Sequence, residues 1–211
     1  MKNTLKHSWS ALTLAVALAT TVSAQTMTKF EAQPGSKVKI EGTSTVHDWT
    51  VEGGIIAGAL ELDSKFTADP AKAAPGKVAA KVEAMIPVRS VKSGKKSMDD
   101  IMHAAMKQPL FPKIEYRLTE LTLKETPKSA DGPYVFDSKG ELSLAGVTNK
   151  VAFPVTMTRT DKSIKTTGVT TVKMTSYGIQ PPAPKIALGL ITTGDDVKLT
   201  FEWNTGVGEA K

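Results

Sequence analysis

The sequence predicts an all-β fold, an eight-stranded antiparallel barrel carrying one short helix, and three observations lead there. Apolar and polar residues alternate with period two along most of the chain; short clusters of Gly, Pro, Asp, Asn and Ser part the alternating stretches; and a single segment departs from that period for a helical one. Successive side chains of a strand point to opposite faces, so such alternation implies one buried face and one wet face. Eight antiparallel strands can close into a barrel whose lumen is filled by side chains or is just wide enough for one small ligand.

The eight strands are expected at 36–44, 49–63, 77–88, 113–124, 134–145, 150–160, 164–175 and 196–204. Inside the second, Gly53, Gly54 and Gly58 mark a bulge, a sharp bend or a close backbone approach. The third sets Val78, Ala80, Val82, Ala84 and Ile86 against Lys77, Lys81 and Glu83. Between the third and fourth comes the exception: Met98, Ile101, Met102, Ala105 and Met106 fall three and four apart, one stripe of a helix over 97–108. Ser97 with Asp100 resembles a capping box, Asp99 and Asp100 suit the positive end of the helix dipole, and Pro109 ends the helix. Residues 140–160 form a hairpin whose loop, Gly146 to Lys150, is expected to be a little longer than the tightest type. Val151, Phe153, Val155 and Met157 form a buried face beyond it. The last strand alternates most cleanly, Val197, Leu199, Phe201 and Trp203 against Lys198, Thr200, Glu202 and Asn204. The breaks at Asp69 to Gly76, Thr126 to Pro133 and Gln180 to Pro184 are loops too short to separate domains, so residues 25–211 form one domain.

The first residues read as a cleavable secretory signal. Lys2 and Lys6 precede an apolar run from Ala11 to Ala19, which ends near Val22-Ser23-Ala24. That run is too short to span a bilayer comfortably. Cleavage after Ala24 is expected, with Gln25 first in the mature chain and no stable insertion in a membrane. The formal net charge of +6, reduced by the loss of Lys2 and Lys6, is spread along the chain. A nucleic-acid binder concentrates basic residues on one stripe and interleaves aromatics, and neither pattern is present. The absence of cysteine removes disulfides, thiolate metal sites and covalent haem attachment.

Candidate chemistry is sparse. Ser44, His47 and Asp48 contain the residue types of a nucleophile, base and orienter, but adjacent residues of a strand point apart. If the segment turns, His47 can approach Ser44, and a turn-stabilising role for Thr45 or Asp48 is the expectation. No catalytic residue is assigned. His103, between Met102 and Ala104, is expected to face solvent. Two mature histidines supply too few ligands for a transition metal, and no cofactor is implied. Ser93-Gly94-Lys95-Lys96-Ser97 is not a phosphate-binding loop, because the earlier glycine of that motif is Arg89 here.

Several landmarks carry a family resemblance. Gly42-Thr43-Ser44-Thr45-Val46-His47-Asp48-Trp49 resembles the opening motif in part of the YceI-like family. Ser97-Met98-Asp99-Asp100 leading to Phe111-Pro112-Lys113-Ile114-Glu115-Tyr116 resembles its helix-to-strand passage. The run from Gly140 to Lys150 resembles its late hairpin, and Thr175 to Ile179 and Gly194 to Val197 its last two landmarks. The resemblance spans Gly35 to Trp203, with one departure: Met174-Thr175-Ser176 stands where many members carry an Arg before an Asp-Phe-Gly landmark.

The resemblance implies a lipocalin-like barrel exported to the periplasm, with an elongated apolar cavity that binds polyisoprenoid-type lipids in some members. On that basis Trp49, Ile86, Met98, Met102, Met106, Phe153, Phe201 and Trp203 are candidates to line a cavity. Methionine suits an adaptable wall, being unbranched and polarizable. Arg89, Lys92, Lys95 and Lys96, just before a helix start, are candidates for a head-group site. The expected function is a non-enzymatic carrier that sequesters an isoprenoid or similar long-chain amphiphile. The alternative is a side-chain-filled barrel acting as an envelope stress or protein-interaction module, and homodimerisation stays open.

Overall fold

The computed structural model describes residues 26–127, 132–160, 162–183 and 191–208, so the leader and Pro184 lie outside the described residues. Eleven strands form: β1 (Met27–Ala32), β2 (Lys37–Ser44), β3 (Trp49–Gly53), β4 (Ala57–Asp63), β5 (Gly76–Val78), β6 (Ala80–Pro87), β7 (Lys113–Leu123), β8 (Tyr134–Leu144), β9 (Val147–Arg159), β10 (Ser163–Lys173) and β11 (Thr193–Val207). Two α-helices join them, α1 (Ser64–Ala68) and α2 (Lys96–Ala105).

The strands make a closed eight-membered antiparallel ring in the order β1-β4-β6-β7-β8-β9-β10-β11, and β11 returns to β1 with Phe30 opposite Val207. The three remaining strands extend the staves of the ring. β2 continues β1 along β11, β3 pairs with β2, and β5 pairs with the far end of β7. The alternation read from sequence therefore holds around the ring. Val197 and Trp203 are buried on β11, and Phe136, Leu142 and Leu144 on β8.

The departures from expectation have local causes. β1 was not anticipated, because its six residues bury a single large side chain, Phe30. The expected strand 49–63 is two strands broken between Gly53 and Ala57, where the Ile56 carbonyl leaves the ladder and accepts a hydrogen bond from the Trp203 indole N–H at 3.2 Å. Gly58, past the break, has φ +124°, and a Cβ there would stand 1.9 Å from the Glu83 carbonyl oxygen, so the close approach requires glycine. The hairpin loop is the tightest type rather than a longer one: Leu144 pairs with Val147, and only Ala145 and Gly146, both at positive φ, lie between. The loop expected from Asp69 follows an unanticipated helix, α1, whose Phe66 ring packs edge-on against Tyr134 and Phe136. With the Arg159 guanidinium donating to the Thr67 carbonyl, α1 closes one end of the barrel.

The helix stripe covers the other end, but its cap differs from the expected one. Ser97 lies inside α2 and makes no cap; Lys95 precedes the first turn without a side-chain cap. Asp99 is instead buried and reaches back to accept from the Ser93 backbone N–H at 2.7 Å and the Ser93 hydroxyl at 2.8 Å. These bonds hold the Asp99 carboxyl below the usual carboxylate range. His103 does not point to solvent; it is half-buried, and its Nε2 donates to the Val91 carbonyl at 3.1 Å.

Candidate functional site

Among the described residues, an inner and an outer apolar cavity lie within the barrel. The inner one, about 100 Å³, is bounded by Leu60, Val82, Ile86, Leu118, Leu121, Leu142, Val155, Met157 and Trp203, with Tyr116, Phe153 and Phe201 on its walls. The outer one, about 330 Å³, lies under α2, whose Met98, Ile101, Met102, Ala105 and Met106 form a roof over Ile40, Trp49, Val51, Leu144, Val172 and Val197. Ile114 and Leu199 line both, so the two cavities meet at these side chains.

The barrel stays hollow because of where its glycines fall. Gly42, Gly140 and Gly168 face inward in phase with buried neighbours, and each lies under an aromatic ring. A Cβ at Gly42 would fall 2.2 Å from the Trp49 ring, at Gly140 2.5 Å from Tyr116, and at Gly168 2.7 Å from Phe201. The rings lie against the wall over the missing side chains instead of meeting in the lumen. Phe153 lies between Tyr116 and Phe201, tilted 49° to the first at 5.6 Å between centroids and edge-on to the second at 6.1 Å.

The structure places Ile86, Phe153, Phe201 and Trp203 on the inner cavity and Trp49, Met98, Met102 and Met106 on the outer one. It does not bring the four basic candidates together. Lys95 lines the outer cavity beside Ser44 and His47. Lys96 is paired with Asp100 at 2.6 Å, Lys92 stands 4.0 Å from Asp99, and Arg89 is exposed in the 3-10 turn Val88–Ser90. Ser44 and His47 form a turn. The Ser44 hydroxyl donates to the His47 carbonyl at 2.6 Å and accepts from the His47 N–H at 3.2 Å, while His47 Nδ1 donates to the Asp48 carbonyl at 2.8 Å. The imidazole is thus committed to Asp48 and the hydroxyl to the backbone, and no nucleophile–base pair forms.

Sequence reasoning missed the contribution of Val172, Met174 and Ile179 to the outer wall, and it missed the glycine–aromatic pairs. A signal for the pairs existed: a glycine at an inward phase opposite an aromatic residue on the next strand, as in Gly168 opposite Phe201 and Gly42 opposite Trp49.

Comparison with known proteins agrees with this architecture. The family model of the YceI-like domain matches residues 32–205. No curated protein matches the chain. Among solved structures, Burkholderia cenocepacia BcnA is 18% identical, with 80% of this chain and 95% of that chain covered at a TM-score of 0.60. A polyisoprenoid binding domain from Saccharophagus degradans, implicated in plant cell wall breakdown, is 12% identical, with 87% of this chain and 100% of that chain covered at 0.61. The Campylobacter jejuni YceI protein is 14% identical, with 75% and 85% covered at 0.54. At these identities the likeness is one of fold.

Proposed function

This chain belongs to the YceI-like domain family, and from that premise we propose that it is an exported carrier which sequesters an isoprenoid or similar long-chain amphiphile, with no chemical step. The observation that carries the proposal is the pair of adjoining apolar cavities, the inner one deep in the barrel and the outer one roofed by methionines. Each CH₂-sized group buried contributes on the order of 0.8 kcal/mol, so a five-carbon unit contributes ~4 kcal/mol at most. Association itself costs an estimated ~4–15 kcal/mol. Several units must be enclosed, which two adjoining chambers allow better than a cleft once the Ile114 and Leu199 side chains between them give way. A relative in the fold, the Saccharophagus domain, is described as binding polyisoprenoid.

The head group stands at the outer chamber, where Lys95 is the one basic candidate on the wall. Arg89, Lys92 and Lys96 contribute to the surrounding potential rather than to contact. Residues 1–24 direct export to the periplasm and are removed after Ala24. A filled barrel serving only as an interaction module is disfavoured by the glycines that keep the rings against the wall.

The test is a chain-length series of prenyl alcohols competing with a fluorescent apolar probe on the full mature chain. Affinity should rise with each added isoprene unit until the two chambers are full, then level off. A folded protein that binds none of the series would refute the carrier reading.

A further inference from the structure

The inner chamber carries hydroxyls that its apolar lining does not explain. Thr166, on β10 opposite Trp203 and Met157, is 5% exposed and lines the chamber, and its Oγ1 has no hydrogen-bond partner among the described residues. Tyr116 Oη is buried on the same chamber, with the Ser138 hydroxyl as its polar neighbour. Ser138 donates its own hydrogen to the Phe153 carbonyl at 2.7 Å, which leaves its oxygen free to accept from Tyr116. Buried hydroxyls are ordinarily bonded, because losing water without a replacement partner is unfavourable. The Thr166 hydroxyl is thus an unspent O–H donor on a small chamber, and it calls for an acceptor inside it.

The chemistry of that acceptor is constrained. No Lys, Arg or His lines the chamber, so a carboxylate or phosphate would be desolvated there without a counter-charge. Burial pushes the Tyr116 phenol up from its ordinary value, Ser138 opposing, so the group remains a donor at neutral pH. The volume of about 100 Å³ admits the leading end of a chain and little more. Resting on the carrier reading above, we infer that the natural ligand is a long-chain amphiphile whose inward end carries an uncharged carbonyl-type oxygen, held by the Thr166 hydroxyl.

The test compares hexadecanol with its analogue bearing a ketone one carbon from the far end, both displacing aminoanthracene from the full mature chain. The two share a head and a length and differ only in the end that reaches the inner chamber. The ketone should bind about tenfold more tightly, the scale of one well-made neutral hydrogen bond in a protein interior. Thr166→Val, which keeps the shape and removes the hydroxyl, should abolish most of that preference. Equal affinities in the unsubstituted protein would overturn the inference, as would a preference that survives Thr166→Val, since the hydroxyl would then not be what holds the ketone. If neither compound displaces the probe from folded protein, the carrier reading itself fails, an outcome distinct from equal binding.

Discussion

Glu120 shows how single side chains on the outer face hold neighbouring strands together. Its carboxylate takes Lys139 of β8 at 2.7 Å and Lys77 of β5 at 2.5 Å, and hydrogen bonds from these two ammonium groups pull its pKa from 4.5 to about 2. Because the folded-state value lies below the unfolded one, the stabilisation is fully present above about pH 4.5 and is lost as pH falls towards about 2. Glu120→Gln should therefore lower the urea midpoint at neutral pH, and the gap from the unsubstituted protein should close on acidification; a gap constant from pH 7 to 2 would contradict the assignment. Added salt should also narrow the gap, since both lysines are exposed. At this scale the sequence was a partial guide. Ser44 and His47 were legible as neighbours, but the turn that commits them to backbone atoms was not. The partnership of Asp99 with Ser93 was hidden because Ser93 reaches it only through the chain reversal at Gly94, which has φ +78°.

The elements were legible where period alone decides them. The helical stripe of Met98, Met102 and Met106 and the alternation on β6, β9 and β11 needed nothing beyond spacing, and α2 duly roofs the outer chamber with that stripe. The glycines Gly53, Gly54 and Gly58 signalled a bend between β3 and β4, but not its partner, the Trp203 indole that donates to the Ile56 carbonyl across 147 residues. Nor does alternation report whether inward side chains meet, because that depends on which ring lies over which glycine. Gly168 tests the device. Gly168→Ala should drive the Phe201 ring into the inner chamber, and each CH₂-sized volume it displaces should weaken ligand binding about fourfold. Thermal stability should change little, because alanine is conformationally better than glycine inside a strand and offsets the repacking. Unchanged affinity in this variant would mean that the chamber is not occupied by ligand.

At the scale of the whole molecule, the barrel is a sheet that closes on itself with its two ends treated differently. α1, Phe66 and the Tyr134–Phe136 pair block one end, while α2 stands over a larger void at the other, so the path for a long apolar chain leads under the helix. Seven of the eight staves could be counted from the sequence by their alternating stretches; the eighth expected strand, 36–44, is β2, and β1 closes the ring instead. The asymmetry of the ends could not, because α1 falls between the expected strand 49–63 and the loop expected from Asp69, and its short sequence gives no helical period. The claim beneath the rest is that the lumen is built to be filled by another molecule. Native mass spectrometry of the mature chain purified without detergent, followed by lipid extraction, measures this directly. The account predicts one chain-like lipid per protein, released on unfolding and carrying an uncharged oxygen at its inner end. A bare protein mass from folded material, with no uptake when prenyl lipids are offered, would contradict it.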